Sequence, residues 1–300
     1  MESQQLIRPE KKNLAPKRGA AGGSADSGNF SRKLSDKDFD LFRKLVYANS
    51  GISLGDDRKD LLTNRLAKRI RTGGFGSYRD YYDFVVNDKS GQELIQLLNM
   101  ISTNLTYFFR ETKHYSLLQE SVLPQLIAAK KRLHNRRIRF WSAACSTGEE
   151  VYSLLITVLP FLDPISAWDF KLLGSDISTK VLATAKEGRY ARNQIKGLDP
   201  KRIPEYFLEE DHSLVVKPDL KRLTKLARLN LLEPFPFKGK FEVIFCRNVM
   251  IYFDNSTKEQ LINKFHKILT PGGYLFIGHS ENLTGLRHNF SYIAPAVYRK

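Results

Sequence analysis

Residues 141–150 read WSAACSTGEE: the end of an apolar run, a turn of small residues with a single glycine, Gly148, and then two carboxylates, Glu149 and Glu150. Loops that cradle a pyrophosphate use several glycines so that the backbone can approach, and the phosphate charge suits the positive end of the following helix. Here Cys145, Ser146 and Thr147 stand in those places, and acids sit where a phosphate would lie. The pattern disfavours a pyrophosphate and prefers a cation. One glycine before a helix and acids in its first turn are also ordinary steric and dipole devices. Asp176 ends the next apolar run, FKLLGSD, 28 residues after Gly148. Doubly wound nucleoside binders place an acid there for the ribose hydroxyls, although the same residue reads as a cap for the helix ISTKVLATA. Asn230 ends ARLNLL, where its amide could meet an adenine edge, and Cys246, Arg247 and Asn248 end FEVIFCR and face the same crevice.

A further chemical stretch, TNLTYFFRE at 103–111, alternates Asn104, Thr106 and Arg110 with aromatic residues. A buried arginine needs a partner, and Arg110 has one if this segment folds over the crevice and meets a carboxylate of ligand or substrate. The elements that must hold these groups follow from periodicity. SDKDFDLFRKLVYANSG opens with a Ser cap, closes at Gly51 and puts Phe39, Phe42, Leu45 and Val46 on one face. DDRKDLLTNRLAKRIRTGG repeats the design, and further helices are expected at 77–87, 91–101 and 113–133, giving an all-α domain over 36–133. From residue 134 the pattern changes. RIRFWSA, FKLLGSD, ARLNLL, FEVIFCR and GGYLFIGHS read as buried strands separated by helices at 148–160, 178–186 and 256–269, the signature of a parallel, doubly wound α/β sheet. Residues 188–222 are too long and polar for a simple crossover and suggest a small antiparallel β-insert, with LVVKP as one strand. Residues 1–35, rich in Gly, Ala, Ser and Lys, are expected to be a disordered tail.

Composition narrows the classes. At 300 residues and 42% hydrophobic content the chain can bury a full core. It holds no run near the ~20 apolar residues of a membrane helix, and MESQQLIRPEKKN has no apolar signal core, so a cytoplasmic protein without membrane insertion is expected. Two cysteines and six histidines lacking ligand spacing point to no metal. Forty-eight basic against 32 acidic residues, a net charge of +16, favour an acidic partner without naming it.

Taken in order and spacing, TNLTYFFRE, WSAACSTGEEVYSL, SDIS, FCRNVMIYF and GGYLFIGHSENL resemble the chemotaxis receptor methyltransferase (CheR) family, bacterial enzymes that use S-adenosylmethionine. The resemblance covers roughly residues 36–300. It implies a doubly wound S-adenosylmethionine-dependent methyltransferase fold over 134–300, carrying a small N-terminal all-α domain and an inserted antiparallel β-subdomain. It also implies cofactor contacts from Asn104, Thr106, Arg110, Glu150, Asp176, Asn230, Leu231, Arg247 and Asn248, with Arg110 and Tyr252 nearest the transferred methyl. The family usually has proline after the Glu pair, where this chain has Val151; a proline there only pre-sets φ. YFLEEDHSLVVKP is shorter than its counterparts and lacks the glycines of members that dock a receptor's C-terminal peptide tether, so that contact is not carried over.

The implied reaction is methylation of receptor glutamate side chains in sensory adaptation, releasing S-adenosylhomocysteine. An exposed glutamate with a pKa of about 4.3 is already ionised at neutral pH, so alignment matters more than a base. The implied substrate is the cytoplasmic helical bundle of a methyl-accepting receptor. Arg58, Arg65 and Arg69 lie at i, i+7 and i+11 beside Leu62, Leu66 and Ile70, and that stripe is the candidate receptor dock, a solvated face being the bland alternative. A monomer is expected. An RNA methyltransferase would show a Pro-Cys nucleophile or an Asn/Asp-Pro-Pro-aromatic motif, and CRNVMIYF is neither; a non-catalytic module binding the same cofactor is separated only by turnover.

Overall fold

The computed structural model describes residues 33–300. The expected tail falls outside the described residues except at its end, where Leu34 is buried and the Ser35 hydroxyl accepts a hydrogen bond from the Asp38 amide. Helix α1 (Asp36–Ser50) buries Phe39, Phe42 and Val46 and stops at Gly51, whose φ of 70° is left-handed. Helix α2 (Lys59–Gly73) buries Leu62, Leu66 and Ile70. With α3 (Tyr78–Asn87) and α4 (Gln92–Ile101) these form the helical layer, at the positions the periodicity predicts. Helices α5 (Thr112–Leu117) and α6 (Leu123–Arg132), joined by a π turn, behave differently. Their residues Tyr115, Leu118, Val122, Leu123 and Ile127 share a core with the strands that follow, so this segment, expected with the helical domain, packs on the sheet.

The sheet comprises β1 (Arg137–Ala143), β2 (Asp169–Asp176), β6 (Thr224–Arg228), β7 (Phe241–Cys246), β8 (Leu269–Ile277), β9 (Ser291–Ala294) and β10 (Val297–Arg299), in the order β6-β2-β1-β7-β8-β10-β9. The first five are parallel and the last two antiparallel. Helices α7 (Glu149–Val158), α8 (Thr179–Glu187) and α11 (Asn255–Ile268) make the crossovers. Alternate side chains feed two cores: Phe140, Val243, Phe245 and Phe276 on one face, Trp141, Ile244, Cys246 and Leu275 on the other. Covering both faces explains why the strands read as continuous apolar runs. After β1 the chain builds outward through β2 to β6, then returns to β7 on β1's other side, so the switch point lies at the carboxyl ends of β1 and β7.

Between α8 and β6 the insert contains β3 (Arg189–Ala191), α9 (Ile203–Tyr206), β4 (Phe207–Glu210), β5 (Ser213–Val216) and α10 (Pro218–Arg222), with β3-β5-β4 as an antiparallel sheet. The expected strand ARLNLL ends earlier, at Arg228, leaving Asn230 in the loop beyond. The strands β9 and β10, which the sequence reading omits, complete one edge.

Candidate functional site

A cleft of about 960 Å³, part of it open to solvent, lies at the switch point between the helical layer and the sheet. Its lining includes every residue expected near the cofactor or the methyl: Asn104, Thr106, Arg110, Glu150, Asp176, Asn230, Leu231, Arg247, Asn248 and Tyr252. Arg58, Arg65 and Arg69 are not among them.

Gly148 takes φ 97°, but its role is not ligand approach. A Cβ there would lie 2.8 Å from the Ala185 Cβ and 2.9 Å from the Tyr190 hydroxyl, so the glycine lets α8 and the insert close on the loop. Backbone strain gathers around the cleft instead. Of nine non-glycine residues with positive φ among those described, Ala144, Ser146 and Asn248 line it, and Phe109 and Glu111 flank Arg110. Such conformations cost on the order of 1–3 kcal/mol each and persist where hydrogen bonds hold them. The amide of Ser146 donates to Asp176 (2.9 Å), that of Asn248 to Glu281 (3.0 Å) and that of Phe109 to the Ser153 hydroxyl (2.9 Å).

At the centre is Arg247, its side chain 2% exposed. It donates to Glu150 (3.0 Å), to Glu111 (3.0 and 3.2 Å) and to the Arg110 carbonyl. Glu150 also accepts from the Ser142 hydroxyl at 2.7 Å, and Glu111 accepts from the Asn248 side chain and the His279 amide. Burial pushes the Glu150 carboxyl above its ordinary range, against the pull of Arg247. For Glu111 burial also acts upward, but Arg247 and the hydrogen bonds outweigh it and the carboxyl is held below the usual range. Asp176 accepts the Ser146 and Ser178 amides (both 2.9 Å) and has no cationic partner among the described residues; burial raises its pKa.

The remaining groups are more open. Arg110 donates to the Leu105 carbonyl (2.8 Å), its guanidinium lies 5.8 Å from the Tyr107 ring centre, and it forms no ion pair among the described residues. The expected buried arginine is therefore half-buried and still free to take a carboxylate. Asn104 gives its carbonyl to the Ser146 hydroxyl, tying the 102–107 strap to the loop after β1. The Asn230 amide group donates to the Asn49 carbonyl and accepts from the Leu232 amide, fastening the sheet to α1. The Tyr252 carbonyl accepts from Ser53, a second tie between the layers.

The α2 arginines meet different partners. Arg65 donates to the carbonyls of Met100, Ile101 and Ser102, closing the end of α4. Arg69 makes a fork with Glu93 (2.6 and 2.7 Å), which also accepts from Tyr81. Among the described residues Arg58 has only Asp57, at 3.4 Å.

Spacing did not reveal Glu111, Tyr115 or Ser146 as members of the site, nor the meeting of Glu111, His114 and His279, whose donor atoms lie within 4.8 Å of one another. His114 is buried, and burial together with Arg247 lowers its pKa to about 3. Glu111 in that trio is already held by Arg247 and Asn248. For Glu111 the available signal was its place at the end of TNLTYFFRE, and for Ser146 its place in the small-residue loop of WSAACSTGEE.

The lining suits a nucleoside that carries positive charge. Ile52, Ile177, Leu229, Leu231 and Phe253 offer apolar walls for a base, and the carboxylate of Asp176, lacking a cation, offers acceptors for hydroxyls. Glu150 and Asp176 make the cleft hospitable to a sulfonium and hostile to a pyrophosphate.

The CheR methyltransferase all-alpha domain model matches residues 37–102, and the CheR methyltransferase SAM binding domain model matches residues 104–298. The chain is 41% identical over 261 residues to the chemotaxis protein methyltransferase of Borreliella burgdorferi, covering 86% of this chain and 92% of that one. It is 38% identical over 260 residues to the probable chemotaxis protein methyltransferase of Rhizobium etli (85% and 96%). With the chemotaxis protein methyltransferase of Salmonella typhimurium it shares 37% over 270 residues (88% and 90%). With both of its domains matched and the cleft built where they meet, the chain belongs to the CheR methyltransferase family.

Proposed function

We propose that this enzyme methylates glutamate side chains of chemotaxis receptors, with Arg110 and Tyr252 receiving the acceptor and the other cleft residues holding the cofactor. The observation that carries the reading is Arg110, a guanidinium at the cleft with no carboxylate partner among the described residues, beside an arginine, Arg247, whose carboxylates are both supplied internally. S-adenosylmethionine, when bound, supplies a methyl on a positively charged sulfur that leaves as a neutral thioether. Asp176 would accept the ribose hydroxyls, and Leu231 and its apolar neighbours would pack the base. Arg247 and Asn248 would shape the floor, while Asn104 and Thr106 close the strap above it. The acceptor carboxylate arrives ionised at neutral pH, so no side chain has to remove a proton. Arg110 orients it through its planar fork, and Tyr252 fixes the attacking oxygen. Excluding water beneath the strap strengthens the attraction between carboxylate and sulfonium.

The domain division that the matches and the packing support falls at 102–104 rather than at 133, since α5 and α6 bury their faces on the sheet. Arg65 and Arg69 hold the helical layer together, so of the proposed docking stripe Arg58 keeps the most available charge. No helix among the described residues is long and apolar enough to cross a membrane.

Labelled methyl transfer to a purified receptor cytoplasmic fragment, followed by mild alkali, tests the reading. Alkali-labile label is the expected result, as a carboxyl ester. Stable label would point to nitrogen or carbon methylation, and cofactor binding without any transfer would reduce the protein to a binding module.

A further inference from the structure

Three backbone amides converge on one buried side chain outside the cleft lining. Glu281, 8% exposed, accepts the amides of Gly278 (2.6 Å) and Asn248 (3.0 Å) on one carboxylate oxygen and that of Ile251 (3.1 Å) on the other. It makes no ion pair among the described residues, so its charge is met by peptide dipoles. Gly278 follows β8, and Asn248 and Ile251 follow β7. The carboxylate therefore ties together the loops that leave two neighbouring strands. The approach is close enough to specify residue types: a Cβ on Gly278 would lie 2.6 Å from the Asn248 side-chain nitrogen and 2.9 Å from its backbone nitrogen. Asn248 needs holding, because its φ of 58° is left-handed.

The segment held in this way carries the chemistry. Asn248 lines the cleft, and so does Tyr252, which directly follows Ile251 in the short turn Met250–Tyr252. Ile251 itself lines a separate hollow of about 580 Å³, part of it open to solvent, together with Lys258, Glu281 and Asn282. The turn is thus a thin wall between two spaces. Packing grips it at buried Met250 and Phe253, and the Ser53 amide holds the Tyr252 carbonyl. At Ile251, whose side chain is 47% exposed, the hold is the Glu281 carboxylate.

Resting on the acceptor and cofactor roles read above, we propose that Glu281 is a positioning residue for methyl transfer: by clamping the loops after β7 and β8 it sets Tyr252 toward the acceptor carboxylate and Asn248 toward the cofactor. Glu281 does not line the cleft and acts only through these two residues. A carboxylate is the group this task needs, since both of its oxygens accept; a glutamine would turn its own donor against a backbone amide. A small shift of the turn is felt in the rate of an aligned reaction before it is felt in binding.

The test is a double-mutant cycle in the full chain, Glu281→Gln and Tyr252→Phe singly and together. Rates are measured on a receptor cytoplasmic fragment, cofactor affinity by calorimetry and folding by urea titration. Glu281→Gln is expected to lower kcat about tenfold, with KM for the fragment within about twofold and cofactor affinity down about threefold through Asn248. In the Tyr252→Phe background the same change should cost less than about threefold further, because the hydroxyl it would misplace is already gone. A purely structural residue would multiply the two losses to about a hundredfold. That result, or an unchanged kcat for folded Glu281→Gln, overturns the proposal. If Glu281→Gln does not fold, Glu281→Asp keeps the charge and shortens the reach to the Ile251 amide; its expected loss of about fivefold must likewise shrink in the Tyr252→Phe background, and full multiplication there overturns the role. Wild-type protein that binds cofactor but methylates no fragment sinks the receptor reading and this role with it. Multiplied losses in an active enzyme sink the positioning role alone.

Discussion

The molecule contains the same arrangement twice, with opposite consequences. In the helical layer Arg69 forks onto buried Glu93, which Tyr81 also donates to. At the sheet's switch point Arg247 donates to Glu111 and Glu150, with Tyr115 beside it. Each is an arginine, carboxylate and tyrosine cluster, partly exposed at Arg69 in the first and almost wholly enclosed at Arg247 in the second. The first closes on itself, and none of its members lines the cleft. In the second, Arg247, Glu150 and Tyr115 all form part of the cleft wall. Residue chemistry therefore does not separate a fastening from a functional site; what separates them is whether the cluster borders a space that a ligand can enter.

The largest expected effect follows from removing each arginine. Arg247→Leu should lower kcat/KM by about a thousandfold or more. It also leaves Glu111 and Glu150 without their cation, which costs roughly 3 kcal/mol of stability. Arg69→Leu should cost about 2 kcal/mol in urea unfolding, less because Arg69 is partly exposed. Cofactor affinity of the folded Arg69 variant should stay within about twofold. Should Arg69→Leu weaken cofactor binding as Arg247→Leu does, the two clusters are coupled and the contrast collapses.

Next comes Arg110, the open arginine. Arg110→Ala should reduce kcat about a hundredfold, with a smaller change in cofactor affinity, and Arg110→Lys should recover little because it lacks the planar fork. Equal losses in kcat and cofactor affinity would move Arg110 into the cofactor cradle.

Asp176 sharpens the comparison through pH. Burial raises its pKa, so the free folded protein holds this proton more tightly than the unfolded chain does. The stability it contributes is fully present below the unfolded value of about 4 and is lost as pH rises through the raised folded value. In the ribose role proposed for Asp176, cofactor binding takes the ionised form and is expected to weaken as pH falls through that same value. Thermal melts and calorimetry of wild type against Asp176→Asn should show these opposite slopes in one window, with affinity at neutral pH about thirtyfold lower in the variant. A flat difference between the two proteins would remove Asp176 from the ribose role. The smallest effect is assigned to Tyr252→Phe, about tenfold in kcat from one lost hydrogen bond to a charged group, and no change in kcat would reduce Tyr252 to packing.

Much of this was readable along the chain. Caps at Ser35 and Gly51 and the stripe Leu62, Leu66 and Ile70 place α1 and α2, because those signals act within a turn or two. Continuous apolar runs place the parallel strands, and their ends place Glu150, Asp176 and Arg247 at one crevice. The short strands β9 and β10 escaped because they are held by pairing, β10 on β8 and β9 on β10, rather than by their own pattern.

What the sequence determined by itself is therefore the order of elements and the residues delivered to the carboxyl edge of the sheet, since both follow from short-range periodicity and capping. Tertiary structure alone decided which arginines remain available. Arg65 meets carbonyls 35 to 37 residues away, Arg69 meets Glu93 at a separation of 24, and Arg247 meets Glu111 at a separation of 136. Partners so distant are chosen by how helices and sheet pack. A side chain's charge is written in the sequence, but whether that charge is already satisfied depends on what the fold brings beside it.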